Sequence, residues 1–236
     1  MEVAHRWLVS AVILSIILVC GGALYQLRDF FSTSPTSQKT ATTSTDTGPL
    51  KIPTIKITDP QRGNEHAPLT IVYFADFGCE SCAGTWPTIQ ALEADPQFKN
   101  KLRFVFKDFP AHQTIFPESL ELHKAARCAA SMGKFWEFQA AAFSHVEDVI
   151  INQPTLEKTI TETGLDSTKV HACIESPGIQ SMIDDNFTEG QRLGIDTTPL
   201  FFIGEERIDG TTTYQMLAGK IRTTLAHIEQ GAQQTQ

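Results

Sequence analysis

The spacing of hydrophobic and polar positions changes along the chain, and each change marks an element. From Trp7 to Tyr25 (WLVSAVILSIILVCGGALY) no side chain is charged. That run is about the length a helix needs to cross a hydrocarbon core, whereas a soluble surface helix would show a polar face. Residues 1–6 include Arg6, and Arg28 and Asp29 follow the run. The positive bias before the run predicts a cytoplasmic N-terminus and an exported C-terminal bulk. A cleaved signal peptide, residues 1–22 with Cys20 and Gly22 before Ala23, is the competing reading. Cys20 follows Val19 rather than the small residue that lipoprotein processing wants, and reads as an apolar residue of the span. Residues 26–50 contain a Ser- and Thr-rich stretch, Ser32 to Leu50, too poor in apolar side chains to offset the entropy of ordering. They read as a flexible linker, so residues 51–230 are left for a folded domain and 231–236 for a polar tail.

Within that domain, Leu69 to Phe77 (LTIVYFADF) is a continuous apolar run rich in β-branched and aromatic residues, the pattern of a strand buried on both faces. A helical segment follows to about Asp95, with Pro87 predicted to kink it by removing a backbone donor. Leu102 to Phe106 is a second strand, and the intervening helix makes a βαβ unit with parallel strands. From about residue 115 to Leu193 the spacing turns helical, punctuated by Pro154, Gly164, Pro177 and Gly178. A strand Leu200 to Ile203, a turn at Gly204, a short strand Arg207 to Asp209 and a helix Thr213 to Ile228 complete the order. The pattern is α/β, with a helical insertion of about residues 115–193.

Composition changes this picture little: of 236 residues, 41% are hydrophobic and 19% charged, ordinary for a globular core. The net charge of -8 argues against nucleic acid, whose binding needs clustered Lys and Arg. The seven histidines, His66, His112 and His123 among them, show no ligand spacing and are expected at the surface or at interfaces.

The five cysteines change it more. Cys79-Glu80-Ser81-Cys82 lies where a buried strand ends and a helix begins. N–H groups at a helix start present partial positive charge, which stabilises a thiolate at the first cysteine. Two intervening residues let the second sulfur close a disulfide with the first, so the pair can cycle between dithiol and disulfide. A zinc site would need four ligands, and no second C-x-x-C or H-x-x-H cluster supplies them. Thr197-Thr198-Pro199 precedes the strand at Leu200, a place where proline's missing donor costs nothing and a cis bond is tolerated.

Taken in order, FADFGCESCAGTWP, RFVFKDFP, AARCAASMGKFWE, GLDSTKVHACIES and GIDTTPLFFIG resemble the DsbA-like branch of the thioredoxin superfamily, bacterial exported disulfide oxidoreductases, over roughly residues 60 to 228. The resemblance implies a thioredoxin fold with an inserted helical domain, here preceded by an N-terminal transmembrane helix. It implies an exposed nucleophile at Cys79, a buried resolving partner at Cys82, and a cis-proline loop at Thr198 and Pro199 that pairs with an extended substrate peptide. Phe77 and Trp86 flank the site, either as apolar surface for unfolded clients or as plain core packing. Glu80 and Ser81 tune the pair. Cys128 and Cys173 lie on apolar helical faces, and some relatives have a second disulfide. A bond between them would close a loop of about 45 residues and stabilise the domain by roughly 4 kcal/mol in the chain-entropy model. Two separate buried thiols is the alternative.

Two positions depart from the family pattern. Many relatives have a buried carboxylate six positions before the first cysteine, where this chain has Tyr73, a poor base near neutral pH. Strongly oxidising relatives have a histidine between the cysteines, where Glu80 instead opposes the thiolate. A milder oxidant is therefore expected. The implied reaction introduces disulfides into reduced or unfolded exported proteins, needs neither metal nor organic cofactor, and is reset by a DsbB-like, quinone-linked membrane partner. An isomerase or reductase using the same cysteines, and a non-catalytic client-binding module, are the rivals.

Overall fold

The structure, a computed structural model, describes residues 51–234. The expected membrane segment 7–25 and linker 26–50 lie outside the described residues. Among the described residues, no helix is long and apolar enough to cross a membrane.

Five strands form one sheet. They are β1 (Gln61–Gly63), β2 (Leu69–Ala75), β3 (Leu102–Asp108), β4 (Leu200–Ile203) and β5 (Glu206–Asp209), in the order β1-β3-β2-β4-β5. The predicted βαβ unit is present: β2 and β3 run parallel, with Leu69 opposite Leu102 and Ala75 opposite Asp108. Helix α1 (Glu80–Ala94) and a 3-10 turn at Pro96–Phe98 make the crossover. Pro87 lies inside α1 without ending it. The expected hairpin joins β4 to β5 through Gly204, whose φ of +63° lies in the left-handed region that a side chain would disfavour. Strand β1, antiparallel to β3, escapes sequence reading. It is three residues long and follows Pro60, too short to show an alternation.

The helical insertion comprises α2 (Pro117–Ser131), α3 (Phe135–Ser144), α4 (Val146–Ile150), α5 (Leu156–Glu162), α6 (Ser167–Ile174) and α7 (Pro177–Arg192), and α8 (Tyr214–Gln234) closes the chain. Both faces of the sheet are covered, which is why the central strand is apolar at almost every position. Tyr73, Phe77, Phe104, Phe106 and Phe201 belong to the larger core, with α1, α8 and the insertion. Val72, Phe74, Val105, Phe109, Leu200 and Phe202 form the other, closed by Leu193 and Ile195. Helix α7 approaches β3 so closely that a Cβ on Gly190 would lie 2.6 Å from the Phe109 ring.

Charge is buried as well. The Lys107 ammonium has no exposed surface and meets Asp59 at 2.7 Å and Glu189 at 2.9 Å. Arg127 pairs with Asp108 and donates to the Thr58 carbonyl at 2.6 Å. His123, expected at the surface or at an interface, is fully buried, with its Nδ1 2.6 Å from an Asp108 carboxylate oxygen. An imidazole so paired is tolerated inside, where an unpaired one is not.

Candidate active site

The local sequence dictates the turn that carries the cysteines. Strand β2 ends at Ala75, and Asp76-Phe77-Gly78 turns the chain into α1 with Cys79 as its N-cap. Gly78 suits the close approach here, since a Cβ would lie 3.2 Å from both Phe116 and Ser119 side-chain carbons and would press on them. The Asp76 carbonyl accepts the Cys79 N–H at 3.2 Å, and the Asp76 carboxylate accepts the Gly78 N–H at 2.8 Å.

Cys79 and Cys82 are disulfide-bonded, with Cα atoms 5.2 Å apart. Cys79 Sγ accepts the Cys82 backbone N–H at 3.1 Å, so the sulfur occupies the place of an N-cap oxygen. That bond and the helix start favour negative charge on Sγ when the disulfide opens. Thr198 and Pro199 are joined by a cis peptide bond, and the Thr198 carbonyl oxygen lies 3.4 Å from Cys79 Sγ. The Gly210 N–H donates to the Pro199 carbonyl at 2.8 Å, fixing the loop to the chain after β5. The structure thus brings together the cysteine pair and the cis-proline loop, 119 residues apart in sequence.

Exposure requires a correction. Cys79 was expected to be exposed and Cys82 buried, but in this disulfide form the two residues are 5% and 3% exposed. The bond folds Cys79 Sγ onto the helix start, and the Thr198 carbonyl covers its other side. Glu80 and Ser81 are exposed beside it. Phe77 offers no surface to a client: it is 0% exposed and packs on Phe106, His123 and Phe143. Trp86 is also buried, stacked on Trp136 at 6.0 Å beneath the Arg62 guanidinium.

Tyr73 is buried where many relatives have a carboxylate. Gln139 Nε2 donates to its hydroxyl at 2.7 Å, yet burial outweighs that bond and pushes the phenol well above its ordinary pKa. It is no base in neutral solution. Sequence reading missed the group behind the turn. The Asp76 carboxylate is fully buried and accepts from the Ser119 hydroxyl, while its other oxygen lies 2.9 Å from His112 Nδ1. Burial would raise the Asp76 pKa, but the bonds from His112 and His123 prevail and hold it far below the carboxylate range. Their separation in sequence hid the association. Cys128 on α2 and Cys173 on α6 are disulfide-bonded, with Cα atoms 5.9 Å apart.

A cysteine pair capping the first helix after a central strand, faced by a cis-proline loop and set in a sheet with a helical insertion, defines a thioredoxin-fold protein. The family model described as thioredoxin matches residues 55–222, and the chain belongs to that family. Among solved structures, the thiol-disulfide exchange protein alpha-DsbA2 of Wolbachia pipientis is 24% identical, with a TM-score of 0.62 over 71% of this chain and 88% of that one. Alpha-DsbA1 of the same organism is 17% identical, with a TM-score of 0.65 over 75% and 96%. A thioredoxin-like oxidoreductase from Silicibacter pomeroyi DSS-3 is 23% identical, with a TM-score of 0.61 over 72% and 94%. These likenesses establish a shared fold. A sequence match of another kind is the Na(+)/H(+) antiporter NhaA of Herminiimonas arsenicoxydans, 29% identical over 161 residues, 65% of this chain and 23% of that one. The chain spans about a quarter of the length of the curated relatives it matches.

Proposed function

We propose that this chain is an extracytoplasmic protein disulfide oxidoreductase that introduces disulfide bonds into exported proteins through Cys79 and Cys82. The observation that carries the reading is the Cys79–Cys82 disulfide at the start of α1, with the Cys82 N–H on Cys79 Sγ and the Thr198 carbonyl beside it. A client thiolate attacks Cys79 Sγ, the S–S bond breaks, and Cys82 leaves as a thiolate. A second client thiolate then attacks the client's own sulfur in the mixed disulfide and expels Cys79 as a thiolate. The client loses two electrons and two protons; the enzyme gains the electrons and becomes a dithiol. Thr198 and Pro199 hold the client strand beside the sulfur, by the strand-addition mode this loop suits. Turnover needs an electron acceptor, and a quinone-linked membrane protein of the DsbB-like kind fills that role. A membrane anchor at residues 7–25 keeps the two close. A second disulfide at Cys128 and Cys173 suits an oxidising compartment and supports that location.

The test uses the purified full chain in its oxidised form and a reduced two-cysteine peptide, with the peptide's mass followed by spectrometry. The expected outcome is a peptide lighter by two hydrogens for each enzyme disulfide consumed, and none with Cys79→Ser. A Cys79→Ser protein that oxidises the peptide as fast as the parent would remove the proposal. Equilibration with glutathione sets the direction of flow: a disulfide that persists in strongly reducing buffer would reassign the chain as a reductase.

A further inference from the structure

The turn that presents Cys79 is shaped by one buried side chain, Asp76. Its carbonyl accepts the Cys79 N–H, and one carboxylate oxygen accepts the Gly78 N–H and the Ser119 hydroxyl. The other oxygen accepts the His112 backbone N–H at 2.9 Å and meets His112 Nδ1 at the same distance. His123 Nε2 stands 3.8 Å from the first oxygen. A carboxylate with no exposed surface is costly to keep ionised unless cations face it. Two imidazoles face it, each with its pKa raised by bonds to buried carboxylates, and they differ in access. The His123 side chain is 0% exposed and that of His112 40%, so the His112 proton exchanges with solvent directly. Between the cysteines, Glu80 and Ser81 supply no positive charge.

We propose that His112 is a positioning residue for disulfide exchange: through Asp76 it neutralises the charge behind the Cys79 turn and so favours the Cys79 thiolate, and its deprotonation withdraws that support. The inference rests on the exchange reading above. The remaining charged groups around the pair are Asp108 and Arg127, reached through His123, with Asp59, Lys107 and Glu189 beyond them, and Glu80 at the start of α1. Of these groups only Glu80 is exposed, and its carboxyl is not an imidazole, which leaves His112 as the accessible imidazole of the cluster. The bond to Asp76 raises its pKa above the ordinary 6.5, against a lowering by partial burial.

The experiment measures the equilibrium of the full chain with glutathione, together with the ultraviolet absorbance of the Cys79 thiolate, below and above the imidazole range. His112→Gln keeps the backbone bond to Asp76 and a side-chain donor but not the charge. At the lowest pH at which the absorbance shows the Cys79 thiolate, with His112 still charged, the parent should be reduced about threefold more readily than His112→Gln, and the ratio should fall toward one above the imidazole range. His112→Lys should hold the parent's low-pH advantage across the whole range. A ratio near one at every pH would overturn the inference, as would a His112→Lys protein that loses its advantage in step with the parent. Melting curves record stability separately, and if His112→Gln does not fold, the His112→Lys profile decides alone. A parent chain that fails to equilibrate with glutathione removes the exchange reading itself. Normal exchange with both variants tracking the parent removes only this inference.

Discussion

Glu80 stands exposed in the first turn of α1, directly after the cysteine whose negative charge that turn would favour. Its carboxylate suits the helix start but repels a thiolate, so the residue works against the local field. Glu80→Gln should make the chain a stronger oxidant, shifting its equilibrium with glutathione toward the dithiol by roughly threefold. An unchanged equilibrium would mean that solvent screens the carboxylate completely. Residue chemistry of this sort is legible in sequence, because Cys79, Glu80, Ser81 and Cys82 are neighbours and their spacing carries the meaning. The roles of Phe77 and Trp86 were not legible, because core packing and client surface both call for an aromatic residue. In the fold Phe77 packs on Phe143 and Trp86 on Trp136.

Among elements, the strands β2 to β4 and the helical insertion were readable because each buries enough apolar residues to leave a pattern, and β5, which buries none, because it follows the turn at Gly204. Strand β1 was not, and neither was the buried charged cluster: Asp59, Asp76 and Glu189 stand alone in their segments, and only the Lys107-Asp108 neighbours on β3 and the i,i+4 pair His123 and Arg127 on α2 share a local spacing. The insertion is also tied internally. The Cys128–Cys173 bond joins α2 to α6 across 45 residues of chain. Removing it frees that loop in the unfolded state, so a Cys128→Ala, Cys173→Ala double variant should lose about 4 kcal/mol in denaturant unfolding. Thiol exchange with a small peptide at low temperature should persist, since neither sulfur touches the Cys79 turn. A double variant as stable as the parent would show that packing of α2 on α6 already fixes their contact.

Across the whole domain, the charged cluster binds the segment before β1, the sheet and two helices of the insertion into one unit. Asp59, Asp76, Asp108 and Glu189 face Lys107, Arg127, His112 and His123, so the group is neutral only when both imidazoles are protonated. Burial would raise Asp76 and Asp108, but hydrogen bonds and the nearby cations hold both below the ordinary 3.8. Their contribution to stability is present above that value and is lost as pH falls through and below it. For His123 burial acts downward, yet the bonds to Asp108 and Asp76 prevail and raise it above 6.5, as the Asp76 bond raises His112. A raised imidazole contributes fully below its unfolded value, and that contribution disappears as pH climbs through the folded value. The melting temperature of the purified chain should therefore hold a plateau from about pH 4 to about 6.5 and decline on both sides. The alkaline decline is the diagnostic arm, because surface carboxylates cannot produce it. A melting temperature that stays level as the solution passes well above neutral would show that the imidazoles hold no charge in the folded protein, and the cluster would then carry a net negative charge inside the domain.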